Sequence, residues 1–258
     1  MRRKVFFSLE MFQRKTEVMS PLENNIQDAV NSVTGGFAGK LVKVLIFFIV
    51  ALLLFGSYCI FQFRGLKDPE SMEYAQLARN MSAGRGYVTS CIRPADIWYL
   101  TTERGRKFSV ADCPDLRNPP FFPAMLSLCF KAVGPSFELK PSSTSFEPET
   151  KVIVPFCILL TIATGVFIYL VGMKLFDKRV AITGTLAFFL SKSVLDDSIS
   201  GLPASLLAFL VSAAICAALS FWEATDRDKP ARLTVMLFVI TALLCAAAFL
   251  ASYKMALL

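Results

Sequence analysis

The chain has 258 residues, 55% of them hydrophobic, with a mean hydropathy of +0.55 and a formal net charge of +7. That apolar excess excludes an ordinary soluble domain. The positive charge is no signal of nucleic-acid binding, because the basic residues are scattered near the ends of apolar runs, where they anchor and orient membrane spans. The sequence holds no histidine, so Ser-His and Cys-His catalysis are excluded and acid–base chemistry falls to Asp, Glu, Lys, Tyr or Cys.

Residues 1–40 read as a polar cytoplasmic segment carrying Arg2, Arg3, Lys4, Arg14 and Lys15. Its short apolar run Val5-Phe6-Phe7 is no signal-peptide core, and Met19 to Val33 has the pattern of an amphipathic helix lying on a membrane. Lys40 and Lys43 flank the first predicted span, residues 41–63. Basic residues before it and acidic ones after it place the N-terminus in the cytoplasm.

A long polar loop, residues 64–151, follows. It opens on Lys67-Asp68-Pro69-Glu70-Ser71-Met72-Glu73-Tyr74, and the spacing of Met72, Ala75, Leu77, Ala78 and Met81 predicts a juxtamembrane helix ended by Gly84 and Gly86. Beyond lie Arg93-Pro94, Trp98-Tyr99 at expected headgroup level and the basic patch Arg104 to Lys107. Asn80-Met81-Ser82 is a formal sequon, but its place in a helix favours a structural role. Asn118-Pro119-Pro120-Phe121-Phe122-Pro123 then leads into Ala124 to Gly134, which is too short to span and reads as an interfacial or re-entrant helix.

Four more spans are predicted within 152–250: Val152 to Met173, Val180 to Leu195, Leu202 to Trp222 and Leu233 to Leu250, ahead of a short tail, 251–258. If Ala124 to Gly134 does not cross, the basic clusters Lys174 to Arg179 and Arg227 to Arg232 are both cytoplasmic. The Asp196-Asp197 turn then faces outward, on the side of the first loop. Lys192 near that end is placed to snorkel to the surface. The fold class is therefore all-α and polytopic.

The seven cysteines show no CxxC spacing, which argues against a zinc or redox motif. Only Cys91 and Cys113 share a polar region; in an oxidising compartment they can pair as a disulfide, and otherwise they stay free thiols.

Asp68, Glu70 and Glu73 on one hand, and Asp196 and Asp197 on the other, are the candidate chemistry. Glu70 and Glu73 are neighbours on one helix face, where like charges raise a pKa or attract a cation. A carboxylate here can act as general base on a hydroxyl or amine; with Asp196 or Asp197 it can instead hold a divalent metal against a phosphate. The same spacing also fits solvated span ends, with Asp68 capping a helix that begins at Pro69.

The run Asp68 to Asn80 with Gly84-Arg85-Gly86-Tyr87 resembles the start of the first outer loop of GT-C glycosyltransferases, most closely the family 39 and ArnT/PMT-like group. Asn118 to Pro123 with Phe130 to Gly134 resembles that group's Pro-Pro segment, and Leu195 to Pro203 its second outer loop. The resemblance implies a GT-C-like helical bundle with a long first outer loop. It also implies transfer of a sugar from a polyprenyl-phosphate donor to a lipid, protein or glycan acceptor at the outer face of a bacterial plasma membrane. Counted back from Tyr74, the catalytic acid falls on Glu70, where the family has Asp, with Asp68 as its rival and Glu73 beside them. Tyr74, Arg93, Arg117, Asp196 and Asp197 become substrate-binding candidates, with Lys67, Arg93 and Arg117 suited to a lipid phosphate. No metal ligand is assigned, although a divalent ion remains open as cofactor. Family members continue with further spans, so the chain reads as an incomplete copy. The alternative is a non-catalytic membrane protein or assembly subunit that keeps the fold; a transporter is disfavoured by spans almost free of ionisable residues.

Overall fold

The structure, a computed structural model, describes residues 37–103, 113–138, 146–227 and 230–253. The expected surface helix at Met19 to Val33, the basic patch Arg104 to Lys107 and the last five residues of the tail lie outside them. The chain divides into two compact units, Met1–Leu53 and Leu54–Leu258. The described part of the first is the leading stretch of one long helix, α1, Phe37–Gln62. All contacts that follow belong to the second unit.

After α1 come α2, Pro69–Ser82; α3, Pro94–Trp98, running on as a π-helical turn through Tyr99–Glu103; and α4, Phe121–Val133. A second π-helical turn, Glu149–Ile153, opens α5, Val154–Leu175. Then follow α6, Lys178–Leu190; α7, Lys192–Ser200; α8, Ala204–Asp226; and α9, Ala231–Ala251. Among the described residues there is no strand, only an isolated antiparallel bridge between Val88 and Pro114. Four stretches are long and apolar enough to cross a bilayer: Leu45–Gln62, Glu149–Leu175, Ala204–Asp226 and Ala231–Ala251. The protein is an all-helical integral membrane protein.

One predicted span is corrected. Val180 to Leu195 is not a single helix: α6 has 13 residues, the chain turns extended at Ser191 (φ −67°, ψ 123°), and the 9-residue α7 resumes at Lys192. Thirteen helical residues rise only ~20 Å, short of the ~30 Å hydrocarbon core. The charge on Lys192 ends the apolar run where the helix breaks. The two pieces nonetheless run back along α5. A Cβ on Gly172 would lie 2.8 Å from the Ala181 Cα, a Cβ on Gly165 would strike the Phe189 ring, and Gly201, just past α7, is packed against Ile153. Small residues on α5 thus let the broken pair approach closely, as they do between membrane helices.

The first-loop helices are part of the core. Tyr74 and Ala78 of α2, Phe122, Leu126 and Phe130 of α4, and Cys157 of α5 form one buried cluster with residues of α8 and α9. Tyr74 and Phe122 meet edge to face at 5.5 Å, a geometry favoured by the ring quadrupoles. Pro119 and Pro120 turn the chain into α4, and Gly134 (φ 62°) ends it in the left-handed conformation that terminates many helices.

Gly201 closes α7 at φ +71° with no room for a side chain: a Cβ would sit 2.5 Å from Leu66 Cδ2. Gly201→Ala is expected to cost roughly 1–2 kcal/mol from the left-handed backbone alone. The check is thermal unfolding of the purified protein in detergent.

Candidate functional site

The site is built where α1 gives way to α2. Past Gln62 the chain turns at Gly65 (φ 100°), and the Leu66 amide donates to Glu149 Oε2 at 3.2 Å. That bond ties the turn to the head of α5 and fixes the position of Lys67 and Asp68. Asp68 stands at the N-cap of α2, yet its carboxylate makes no capping bond. The first turn is secured by its main-chain carbonyl, which accepts from the amides of Ser71 and Met72 and from Ser71 Oγ at 2.7 Å. Its side chain is left free to serve another purpose.

Across from this turn lies α7. Between them is a hollow of about 300 Å3 lined by Gln62, Phe63, Lys67 and Asp68 on one side and by Lys192, Asp196, Asp197 and Ile199 on the other. The two acidic stretches therefore meet at one end of the bundle, and they do so through Asp68. Glu70 is exposed, does not line the hollow, and has no hydrogen-bond or ion-pair partner among the described residues. An offset of two residues turns it away from the wall that Asp68 forms.

The two acids of α7 have different surroundings. Asp196 Oδ1 accepts from the Tyr58 hydroxyl of α1 at 2.5 Å. Asp197 is half-buried; its main-chain carbonyl accepts from Ser200 and Ser205, but its carboxyl has no partner among the described residues. Burial, and then the charge of Asp196, push the Asp197 carboxyl above its ordinary range. A carboxyl raised in the folded state favours folding while protonated, and that contribution is lost as pH rises through the raised value. Asp197→Asn is therefore expected to raise the unfolding temperature at neutral pH, with the gain vanishing in acid; melting curves across that range test it.

Glu73 belongs to a separate cluster. Its Oε1 accepts from Arg93 Nη2 at 2.6 Å and from the Cys91 thiol at 3.2 Å, and its Oε2 accepts from Asn118 Nδ2 at 3.3 Å. Burial pushes this carboxyl up, but hydrogen bonds from Cys91 and Asn118 and the adjacent Arg93 outweigh it and hold the pKa below the usual value. Asp115 accepts from the Arg117 and Asn118 amides at 2.9 and 2.7 Å, and the Tyr87 hydroxyl donates to the Asn118 carbonyl at 2.6 Å. These bonds latch the loop onto α2. They make Glu73 and Arg93 partners in a structural ion pair rather than groups facing the hollow.

Two further expectations are revised. Tyr74 is 3% exposed and packs on Phe122, so it lies in the core and has no face to offer a substrate. Burial, then the charges of Glu70 and Asp115, push its hydroxyl up to about 12. Arg117 is exposed beside Asp115 and does not line the hollow. Of the cations assigned to a phosphate, Lys67 alone does; Lys192, read from sequence as a snorkelling residue, is the second.

Cys91 and Cys113 are free thiols, and the Cys91 thiol donates to Glu73. The sequon asparagine Asn80 is buried and donates its Nδ2 to the Val88 carbonyl at 2.6 Å, which supports its structural reading. Among the described residues, no three His, Cys, Asp or Glu side chains are grouped to hold a metal ion. Tyr58 was invisible to sequence reasoning because a tyrosine late in an apolar run looks like an interfacial anchor. Comparison with known protein families, curated proteins and solved structures finds no match to this chain.

Proposed function

We propose that the protein is a membrane glycosyltransferase of the GT-C type that moves a sugar from a polyprenyl-phosphate donor to an acceptor at the outer membrane face. The observation that carries this reading is the hollow itself: carboxylates and lysines from two elements converge at the end of an apolar bundle. Lys67 and Lys192 suit the phosphate of the donor, and Asp68, free of capping duty, suits a general base. In that reaction Asp68 takes the proton of the acceptor hydroxyl or amine as the acceptor attacks the sugar C1. The bond from C1 to the phosphate oxygen breaks, and its electron pair leaves with the polyprenyl phosphate, whose new charge the two lysines offset. Arg93, held by Glu73, contributes by fixing the loop, and no step requires a metal ligand.

The test is transfer from a labelled polyprenyl-phosphate sugar by the full chain in nanodiscs, compared with Asp68→Asn. Transfer that needs Asp68 supports the reading. No transfer by the unaltered chain, with no retention of the donor, favours the non-catalytic membrane component instead.

A further inference from the structure

A second hollow, of about 160 Å3, runs along the face of α2 that Met72, Ala75, Gln76 and Arg79 share, and the proposed transfer gives it no part. Its floor is apolar, made by Leu66, Ala75, Phe130 and Ile153. Its polar groups are few and segregated. Glu149 stands at the end nearest the turn before α2, because its Oε2 accepts from the Leu66 amide. Arg79 stands at the other end, in the last turn of α2. Met72 and Arg79 alone are two turns apart, a rise of ~10 Å.

Arg79 is prepared as a donor. Its guanidinium carbon lies 4.9 Å from the centroid of the Phe137 ring, a cation–π contact. Phe137 is itself fixed, edge to face at 5.4 Å on Phe130, which is 3% exposed in the core. The ring covers the face of the guanidinium and leaves its N–H edge open. No carboxylate or other acceptor among the described residues takes that edge. Gln76, one turn earlier on the same face, brings a side-chain amide that likewise has no partner among the described residues.

We infer that this second hollow binds an anionic phospholipid of the glycerol-headgroup class, its phosphate on the Arg79 guanidinium and Gln76 amide and its first methylenes over the apolar floor. A planar guanidinium matches two phosphate oxygens, and one cation at that end balances the one charge of a phosphate diester. A choline lipid is net neutral and carries its own cation. That ammonium competes for the phosphate and would sit beside the guanidinium as a like charge. The small volume takes the phosphate linkage and the start of the acyl chains, not a whole lipid. A soluble phosphate ester would leave the floor uncovered, whereas lipid methylenes bury it, with Met72 half exposed at the mouth.

The experiment uses the full chain in nanodiscs holding equal amounts of phosphatidylglycerol and phosphatidylcholine, each lipid in turn carrying a diazirine at the start of one acyl chain. After illumination, mass spectrometry locates the labelled peptides. Labelling of the α2 peptide by the glycerol lipid is expected about tenfold above that by the choline lipid, the scale of one charge-assisted hydrogen bond. Arg79→Gln should bring it down to the choline level, and Arg79→Lys, which keeps the charge and loses the fork, should fall between. Labelling beside Lys174 to Arg179 should not change in either variant. Equal labelling of α2 by the two lipids would overturn the inference. So would labelling by the glycerol lipid that is unchanged in an Arg79→Gln protein melting like the unaltered chain. Should that variant fail to fold, Arg79→Lys and Gln76→Leu carry the test, and unchanged labelling in both overturns it. Excess soluble glycerol 3-phosphate is added in parallel: loss of labelling would assign the hollow to a soluble ester and overturn the lipid inference, and survival supports it. None of these measurements involves sugar transfer, so their failure leaves the transfer proposal where it stands.

Discussion

Gly172→Ala is expected to destabilise the protein by about 1–3 kcal/mol, the usual range for overpacking a closely fitted interface. The added methyl would lie 2.8 Å from the Ala181 Cα and 2.9 Å from its Cβ, so the obstacle is partly backbone and α6 must move as a body to relieve it. Gly165 sits two turns earlier on the same face of α5, and its methyl would meet the Phe189 ring, with Cζ 2.2 Å away. That ring can turn, at the cost of its edge-to-face contact with Phe55 at 5.6 Å. Gly165→Ala should therefore be milder and partly restored by Phe189→Leu, whereas no single side-chain change on α6 can restore Gly172→Ala. Gly184 lies on α6 with nothing near its missing Cβ, and Gly184→Ala should be neutral or gain up to about 1 kcal/mol from helix propensity. Unfolding in mixed micelles, read by circular dichroism, separates the three. If Gly172→Ala unfolds like the unaltered protein, the close run of the broken α6–α7 pair along α5 is wrong.

That broken pair marks the boundary of what sequence could reveal. Long apolar runs declare themselves by length, and the helices at Leu41 to Phe63, Val152 to Met173, Leu202 to Trp222 and Leu233 to Leu250 were legible on that ground alone. The α2 helix was legible from apolar spacing, Pro69 and the following glycines. Val180 to Leu195 was not, because hydropathy averages across Ser191 and Lys192 and cannot register a change of backbone direction at one residue. The candidate site was half legible. The meeting of the two acidic stretches follows from charge asymmetry between the two ends of the spans. Which carboxylate faces the meeting place depends on a turn at Gly65 tied down where the Leu66 amide meets Glu149, 83 positions later in the chain. Local spacing carries no trace of such a contact, so Glu70 and Asp68 could not be separated until the turn was seen.

On the proposed transfer reaction, Asp68→Asn is expected to lower transfer roughly 100- to 10,000-fold, the usual contribution of a positioned general base. The substitution is unusually clean. Asparagine is as good an N-cap residue as aspartate, and here the first turn of α2 is held by the main-chain carbonyl of residue 68, which the substitution keeps. A loss of rate with unchanged melting temperature would therefore report chemistry and not folding. Glu70→Gln is the informative contrast, since the family resemblance points to it and the geometry does not: its side chain is exposed and outside the hollow, so transfer should change by no more than a small factor. Glu73→Gln should differ from both. It weakens the bond from Arg93 and the latch on the loop, so activity should fall together with stability and with resistance of the loop to proteolysis. Lys67→Gln and Lys192→Gln should act on donor retention first, raising KM more than they lower kcat, because a phosphate contact made before reaction is shared by ground and transition states. Loss of transfer in Glu70→Gln with full activity in Asp68→Asn would move the base back to α2 and leave the hollow without a catalytic role.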